Sequence, residues 1–417
     1  MNRLCIVVLF LFEATWSSAS LNQLSDAYNY NGRDKINVQS KRSISPHEFG
    51  GFRPTRRRPC DAFNFPKPTF TGRISEIKCQ EFIWDMEYEA ELNFYNKRCK
   101  GHSGYSIPNR VKREEHNEQK DQEEDKEHKD HEEHKEHKDH EEPKQSEEHE
   151  HNDKDKNNYP ELGVIGGNIT IPGEYPHMGA IGWMTNDNSN WKFSCGGSLI
   201  SRNFVLTAAH CTYAADTSLA DPTPKIVRFM ARNLTGDLAY DIGILQIIKH
   251  PKYASPSIYY DISLLKLMED VIFNKYALPA CLWTKPDLSD IGSGVVSGWG
   301  AVNKKYEQSS DLRAAKLSNI DENLCNRLLS DYCGNTWCGI ADHQFCAGEL
   351  AGGVDACRGD SGCPLQIKMP MPEKLRRNMY YVFGVTSFGF GCAEPGIPGI
   401  YTRVSSFLDW IEPIVWS

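Results

Sequence analysis

The chain lacks any hydrophobic run long enough to cross a membrane. Its apolar run near the start, residues 4–12, is far shorter than the roughly 20 residues that a membrane helix needs. Arg3 precedes this run and small residues follow it at positions 17–20, which is typical of a secretory signal peptide over residues 1–20. These features predict a secreted, extracellular protein with no membrane association.

Two further absences concern basic surface and apolar content. No basic patch with interleaved aromatic residues is present, so nucleic acid is not expected as a partner.

Residues 112–158 consist almost wholly of charged and histidine residues, and only Pro143 interrupts them with an apolar side chain. Such a segment cannot bury enough surface to offset the entropy lost on ordering. We therefore predict a disordered linker over residues 112–163, which also carries much of the net charge of −9.

Histidines recur within this linker, at positions 128, 131, 134, 137 and 140. They would lie near one another if the segment were helical. One interpretation is a zinc or copper site, or a charge switch near pH 6. The other is a solvated spacer of low complexity.

The chain has 14 cysteines, which suits an oxidising compartment. Cys5 leaves with the signal peptide, so an odd number remains in the mature chain. Cys60, Cys79 and Cys99 lie among many aromatic residues. They predict a small ordered prodomain within residues 21–111.

The pattern changes from Val164 onward to short apolar and alternating runs separated by Gly, Pro and Asn. Residues 202–207 and 380–386 are predicted to form strands. Residues 405–416 place apolar side chains at helical spacing and predict a closing amphipathic helix. Many strands with few helices favour an all-β barrel fold.

Three separated segments carry the residues of a nucleophilic catalytic site. Ser361 follows Gly359 and Asp360 in a glycine-rich loop that can expose a hydroxyl and leave backbone N–H groups free. His210 and Asp261 lie upstream, in the order histidine, aspartate, serine. A serine hydroxyl is a weak nucleophile until a base takes its proton, and histidine titrates close to neutral pH. Asp261 would orient His210 and stabilise its protonated form.

Motifs that surround these residues extend along the whole of residues 164–417. They are Val164-Ile165-Gly166-Gly167, Cys195-Gly196-Gly197-Ser198-Leu199-Ile200, Ser297-Gly298-Trp299-Gly300, the Ser361 loop, and Gly399-Ile400-Tyr401-Thr402-Arg403-Val404. With them the region resembles the trypsin/chymotrypsin family of serine proteases, and most of all the arthropod clip-domain, Snake-like cascade proteases. A clip domain needs six cysteines, and residues 21–111 contain three. The resemblance therefore does not extend to that module.

The resemblance implies two six-stranded antiparallel β-barrels with the catalytic cleft between them. It implies an oxyanion hole formed by the N–H groups of Gly359 and Ser361. A loss of activity is not expected from Cys363, which stands where the family most often has glycine, although the packing behind Ser361 changes there.

The same resemblance implies a specificity pocket and a cleavage preference. Asp355 matches the base of a trypsin-like pocket, and Gly389 and Gly399 match its walls. Ser387, Phe388 and Gly389 match the strand that pairs with the substrate backbone, with Phe388 where tryptophan is usual. Cleavage after arginine or lysine is the expected result.

Activation in this family frees an amino terminus that pairs with the aspartate before the nucleophile. Here the resemblance implies a pair between Val164 and Asp360, formed after cleavage that follows Gly163. A trypsin-like activator should not cut after glycine, so self-activation is disfavoured. The activator accepts small or apolar residues, or cuts nearby before trimming, or the chain is never activated.

Disulfide pairing is also implied by the resemblance. The expected pairs are Cys195–Cys211, Cys325–Cys346 and Cys357–Cys392, with Cys333 and Cys338 close enough to pair with each other. Cys281 matches a cysteine that tethers the prodomain, so its partner is Cys60, Cys79 or Cys99. Cys363 is left as the unpaired thiol.

The remaining signals concern glycans and metals. Asn168 and Asn233 begin glycosylation sequons, and a glycan at Asn168 could hinder the activation cut. The loop at 231–241 has only Asp237 and Asp241 as acids, so no calcium is expected. No cofactor and no other metal are predicted for the protease region.

These features together predict a secreted trypsin-like serine endopeptidase zymogen. Its partners would be a protein substrate such as a downstream zymogen, an upstream activating protease and serpin inhibitors. The setting would be an extracellular cascade in immunity, melanisation, clotting or development. One alternative is a catalytically silent regulatory protein on a protease scaffold. A third hypothesis makes the histidine-rich tract a metal-binding module.

Overall fold

The computed structural model of the chain describes residues 63–99 and 164–417. Residues 1–62 and 100–163 lie outside this part. The expected signal peptide, Cys60, Gly163 and the histidine-rich linker therefore lie outside the described residues. No helix in the described part is both long and apolar enough to span a membrane.

Strands dominate the described residues after position 163, because short β-branched and aromatic runs there alternate with turns. Two barrels hold most of the fourteen strands. The strands are β1 (Asn168–Ile169), β2 (Met178–Met184), β3 (Trp191–Leu199), β4 (Phe204–Thr207), β5 (Ile226–Phe229), β6 (Tyr240–Lys249), β7 (Ser263–Leu267), β8 (Cys281–Leu282), β9 (Ser293–Gly298), β10 (Arg313–Ile320), β11 (Gln344–Gly348), β12 (Pro364–Lys368), β13 (Tyr380–Phe388) and β14 (Gly399–Arg403).

The first barrel closes in the order β2-β3-β4-β7-β6-β5. Every neighbouring pair in it is antiparallel. Its interior is filled by large apolar side chains that are fully buried, among them Ile181, Leu206, Phe229 and Leu265. Closure pairs every strand of this barrel with a neighbour on both sides, so no strand edge is left free.

The second barrel runs β9-β10-β11-β14-β13-β12 and closes because β9 pairs with both β12 and β10. Phe345, Phe383 and Tyr401 stack in its centre, with ring centroids of the two contacting pairs 5.7 Å apart. β1 extends this sheet beside β10, and β8 lies parallel to β13. The predicted all-β fold of two six-stranded antiparallel barrels is confirmed.

The chain ends in the predicted helix. A short 3-10 turn over Val404–Phe407 leads into a helix (Leu408–Val415) whose buried Leu408 and Ile411 pack against the first barrel. This final helix therefore closes the open end of that barrel's core.

A 26-residue helix, Ile74–Cys99, lies within the expected prodomain and was not predicted by the sequence analysis. We call it the prodomain helix after that expectation. Its contact face repeats at Cys79, Ile83, Met86 and Ala90, a spacing that lines up one side of a helix. Because this face lies against buried Leu278, Met369 and Met379 of the barrels, the helix is held by packing.

Covalent and ionic contacts fasten the prodomain helix as well. Cys79 forms a disulfide with Cys281, which identifies the tether among the three candidates. Just before the helix, Arg73 pairs with Glu412 (Nε to Oε1, 3.1 Å), and it also contacts Asp409 of the final helix. This segment is thus attached at two places, to Cys281 and to the final helix.

We predict that replacing both Cys79 and Cys281 by serine lowers the free energy of unfolding by about 2–4 kcal/mol. The bond joins residues 202 positions apart. Its removal therefore raises the conformational entropy of the unfolded chain far more than removal of a disulfide that closes a short loop. Urea unfolding of the intact chain measures the change. The matched control replaces Cys333 and Cys338, which are 5 positions apart and should cost less. A greater loss in the control would contradict the prediction.

Candidate active site

His210 and Asp261 meet because of the pairing of two strands. β4 ends at Thr207 just before His210, and β7 begins at Ser263 just after Asp261. The two strands are antiparallel with Thr207 opposite Ser263, so the two functional residues emerge at the same barrel end. His210 Nδ1 lies 2.7 Å from Asp261 Oδ2, and the His210 backbone N–H donates to Oδ1 at 2.9 Å.

Burial and charge set the protonation of this pair. Asp261 is fully buried, while 31% of the His210 side chain is exposed. Burial lowers the pKa of His210, but the charge and hydrogen bond of Asp261 raise it by more, so the net shift is upward. Burial raises the pKa of Asp261, but His210 and Ser387 lower it by more. An ionised aspartate therefore holds an imidazole that accepts a proton readily.

Two residues of the second barrel also hold Asp261. Ser387 Oγ donates to Asp261 Oδ2 at 2.5 Å, and Thr402 Oγ1 donates to the Asp261 backbone carbonyl at 2.9 Å. The sequence analysis placed Ser387 in the substrate-pairing strand and did not predict this contact. Since both donors come from β13 and β14, the position of the acid depends on how the two barrels dock.

Ser361 lies across the cleft on the loop before β12. Its carbonyl accepts the Gly196 N–H at 2.9 Å, which binds the loop to β3 of the first barrel. Gly362 follows with φ of +76°, and a Cβ there would lie 2.1 Å from Thr207 Oγ1, so only glycine fits. Among the described residues Ser361 Oγ makes no hydrogen bond. In enzymes without substrate, catalytic hydrogen bonds are often long and tighten only in the substrate complex.

Backbone N–H groups beside Ser361 are available for a ligand. Gly359 has φ of +97°, and a Cβ there would lie 2.9 Å from the Gly300 Cα. The Arg358 carbonyl accepts the Ala301 N–H at 2.7 Å. Because a trans peptide points its N–H opposite to its carbonyl, the Gly359 N–H is directed away from Ala301. In the described part neither this N–H nor that of Ser361 has an intramolecular acceptor.

Asp360 is completely buried beneath the loop. Its carboxylate accepts from the Gly300 N–H at 2.8 Å and the Cys357 N–H at 2.9 Å. Burial raises its pKa to about 7, and the two hydrogen bonds only partly oppose this. A buried carboxylate with no cation among the described side chains is a natural partner for an ammonium group.

The segment that begins at Val164 is inserted in the same region. Val164 is fully buried in the second barrel's apolar core, and the Ile165 carbonyl accepts the Asp355 N–H at 2.9 Å. Gly166 has φ of +80°, and a Cβ there would lie 2.4 Å from the Gly353 carbonyl oxygen. Residues 164–166 therefore support the backbone that carries Asp355.

Asp355, the expected base of the specificity pocket, is buried just before the Ser361 loop. It is 3% exposed, and burial raises the pKa of its carboxyl to about 7. Oδ2 accepts the Ala393 N–H at 3.1 Å, whereas Oδ1 has no partner among the described residues. A Cβ on Gly399 would lie 3.5 Å from both Oδ1 and the Tyr401 hydroxyl, which is also buried without a partner. Two buried polar atoms are therefore without a hydrogen-bond partner in the described part, and Asp355 Oδ1 can be satisfied only by a donor.

Glycine and an aromatic residue stand at the positions expected to wall this pocket. A Cβ on Gly389 would lie 3.3 Å from the Gly391 carbonyl oxygen, which is tighter than an ordinary contact. Phe388, which stands at the expected aromatic position, packs edge-on against Trp337 with ring centroids 5.8 Å apart. A long side chain with a cationic tip suits a pocket with open walls and an acidic base.

Five disulfides whose two cysteines both lie in the described part frame the site and the prodomain helix. Besides the tether, they join Cys195 to Cys211, Cys325 to Cys346, Cys333 to Cys338, and Cys357 to Cys392. Since Cys195 and Cys211 share a disulfide, their sulfurs are not free to bind a metal with His210, although the three residues are close together.

Cys363 remains the free cysteine of the described part. Its thiol is fully buried, and burial raises its pKa well above the usual range. A Cβ on Gly196 or Gly298 would lie 2.4 or 2.9 Å from Cys363 Sγ. Two glycines therefore leave the space that this larger side chain fills, and the loop carrying Ser361 keeps its hydrogen bonds.

The two sequons differ in their surroundings. Asn168 is exposed at the start of β1. Asn233 is partly buried, and its Nδ2 donates to Asp311 Oδ1 at 3.1 Å. Nδ2 also donates to Ser310 Oγ at 3.4 Å, and a glycan would replace one of its two N–H groups, so Asn168 is the more accessible acceptor.

Comparison with known proteins identifies similar sequences for this region. The family model "Trypsin" matches residues 164–411. Serine protease snk of Drosophila melanogaster is 42% identical over 258 residues, which cover 61% of this chain and 57% of that protein. Phenoloxidase-activating factor 3 of Holotrichia diomphalia is 37% identical, over 60% of this chain and 71% of that protein. The clotting factor G beta subunit of Tachypleus tridentatus is 34% identical, over 61% and 80%. The match thus spans less than two thirds of the first of these relatives.

Proposed function

This chain belongs to the trypsin family of serine endopeptidases, and we propose that it is an extracellular zymogen that, once cut, cleaves proteins after arginine or lysine. The observation that carries the proposal is the contact of His210 with buried Asp261 beside the Ser361 loop. The unpartnered Asp355 carboxylate oxygen supports the specificity.

In the proposed reaction, Ser361 Oγ attacks the carbonyl carbon of the scissile bond. His210 Nε2 takes the hydroxyl proton, and Asp261 stabilises the resulting imidazolium. The Gly359 and Ser361 N–H groups bind the oxyanion, and one such donor is typically worth ~2.7–4 kcal/mol. When the C–N bond breaks, His210 returns the proton to the leaving amine. Water then attacks the acyl-enzyme, with His210 as base, and regenerates Ser361.

Specificity follows from the charge at the base of the pocket. A guanidinium or ammonium group would donate to the unpartnered Asp355 Oδ1 and to the Tyr401 hydroxyl. Its positive charge would also lower the raised pKa of Asp355 and favour the ionised carboxylate. A neutral side chain would leave both oxygens buried without a donor, which costs free energy.

Activation would use the buried acid beneath the loop. A cut after Gly163 creates an ammonium group on Val164, and Asp360 is the proposed partner. The ammonium group would neutralise the buried carboxylate. The pair would also hold in place the loop that carries the Gly359 N–H. Because the residue before the cut is glycine, the proposed activator is a protease that accepts small or apolar residues, not this enzyme itself.

Secretion and a place in a proteolytic cascade are the finer parts of the proposal. The signal-like residues 1–20 and the five disulfides of the described part support an oxidising, extracellular setting. The names of two relatives refer to clotting and to phenoloxidase activation, which supports a protein substrate such as a downstream zymogen. A serpin is proposed as inhibitor on family grounds alone.

The test is to place an enterokinase site immediately before Val164 and to assay the chain before and after the cut. We expect hydrolysis of arginyl and lysyl peptides to rise by at least about 10²–10³-fold, the effect of one oxyanion donor. The same site placed inside the linker, away from Val164, is the control cut. An inactive chain with a verified Val164 terminus would favour the silent regulatory protein instead.

A further inference from the structure

Next to Asp261 lies a stack of three rings that the proposed reaction does not use. Tyr260, the residue before Asp261, lies between His343 and His250. Its ring centroid is 4.2 Å from that of His343 and 5.4 Å from that of His250, with interplanar angles of 17° and 6°. Phe407 meets the edges of all three rings.

The backbone at this stack is held in an uncommon conformation. Tyr260 has φ of +57°, a left-handed conformation that non-glycine residues seldom adopt. Its N–H donates to His343 Nε2 at 3.1 Å, and its carbonyl accepts the Ile262 N–H at 2.8 Å. His343 is in turn fixed because its own carbonyl accepts the Arg403 N–H at 2.9 Å. The strained residue therefore depends on a histidine acceptor.

We propose that His343 is a positioning residue that, through the Tyr260 N–H, holds the backbone of Asp261 so that its carboxylate faces His210. The backbone is then held on both sides of Asp261. His343 accepts the N–H of the preceding residue, Tyr260, and Thr402 donates to the Asp261 carbonyl. The inference rests on the proposed proteolytic activity, because the positioned pair is the one assigned to proton transfer.

The bond requires one protonation state. His343 Nε2 accepts a proton only when the ring is neutral with hydrogen on Nδ1, because a protonated ring donates from both nitrogens. Burial lowers the pKa of His343, and the charges of His250 and Lys252 lower it further, while Asp342 opposes them. His343 therefore keeps its acceptor until the pH falls below the usual imidazole range.

The sign of the resulting pH effect follows from the two histidines. His210 must be neutral to act as base, and its raised pKa makes activity fall as pH drops through and below that value. The pKa of His343 is lowered, whereas that of His210 is raised. As the pH falls, His343 is therefore protonated after His210, and its hydrogen bond to the Tyr260 N–H is lost when activity is already falling. The readout is kcat, because in the substrate complex of the cut enzyme Asp355 is paired with the substrate cation and Asp360 with the Val164 ammonium. The logarithm of kcat should therefore fall with a slope of about one, then steepen toward about two.

Two substitutions separate the acceptor from the ring. His343→Gln places a neutral amide oxygen near Nε2 and removes the ring, whereas His343→Phe keeps the stack and removes the acceptor. In enzyme cut before Val164, His343→Gln should keep kcat at pH 8 and hold the acid slope near one. His343→Phe should lower kcat at pH 8 by about five- to tenfold, the size of one hydrogen bond, with KM little changed.

The control is His250→Phe, which alters the other face of Tyr260 but leaves the bond from Tyr260 to His343. It should retain both kcat and the steep acid slope. Equal kcat values for the Gln and Phe variants of His343, or a slope of two that survives in His343→Gln, would overturn the inference. If His343→Phe does not fold, the slope of His343→Gln decides alone. An inactive cut wild type would instead refute the proposed activity.

Discussion

Ser361→Ala in a chain cut before Val164 should lower kcat for an arginyl peptide by about 10⁶-fold. The hydroxyl is the proposed attacking atom, and the alanine methyl group cannot form an acyl-enzyme in its place. His210 keeps its contact with Asp261 in this variant, since neither atom of the 2.7 Å pair involves Ser361. Steady-state hydrolysis and a burst experiment measure the loss.

The control for this substitution removes a serine hydroxyl elsewhere. Ser330 is exposed and donates only to the Arg327 carbonyl at 3.0 Å. Ser330→Ala should leave kcat unchanged. Substantial turnover by Ser361→Ala in a preparation free of other proteases would rule out Ser361 as the nucleophile.

Asp355→Asn should lower kcat/KM for arginyl and lysyl peptides by on the order of 10³-fold. The substitution keeps the shape of the side chain but removes the charge that a buried guanidinium needs, so binding of that group becomes unfavourable. Peptides with an apolar side chain at the same position should lose little, because they do not use the charge. The ratio of kcat/KM between arginyl and leucyl peptides reports the change.

An exposed carboxylate provides the matched control for this charge change. Asp287→Asn removes one negative charge at a site where the carboxylate bonds only Ser289. The ratio of kcat/KM between arginyl and leucyl peptides should stay unchanged in that variant. An arginyl preference that survives in Asp355→Asn would show that another group recognises the cation.

Residue order and local motifs predicted much of the architecture. Short alternating runs predicted strands of an all-β barrel fold, and the spacing of apolar residues predicted the final helix, because both depend on patterns within a few residues. The arrangement as two six-stranded barrels was implied by the family resemblance. The prodomain helix was not predicted. Its contact face consists of Cys79, Ile83, Met86 and Ala90. This face is buried only because Leu278 and Met379, which are distant in the sequence, pack against it.

The candidate site also has residues that the sequence predicted and contacts that it did not predict. His210, Asp261 and Ser361 were chosen from three distant motifs, and the contact between the first two depends on the register of β4 against β7. The hydrogen bonds of Ser387 and Thr402 to Asp261 carry no local signal, since they join the barrels over 126 and 141 positions. The same holds for His343, which is 83 positions from Tyr260.

The amino-acid sequence by itself determined which residue types stand at the chemical positions, and that they come in the order of a serine protease. It also determined the glycines at 196, 298, 359 and 362, which leave the space and the backbone freedom that the Ser361 loop needs. Only the tertiary structure decided which cysteine tethers the prodomain, where the thiol of Cys363 fits, and which groups hold Asp261. These depend on contacts between distant segments, and such contacts exist only once the two barrels have closed and docked.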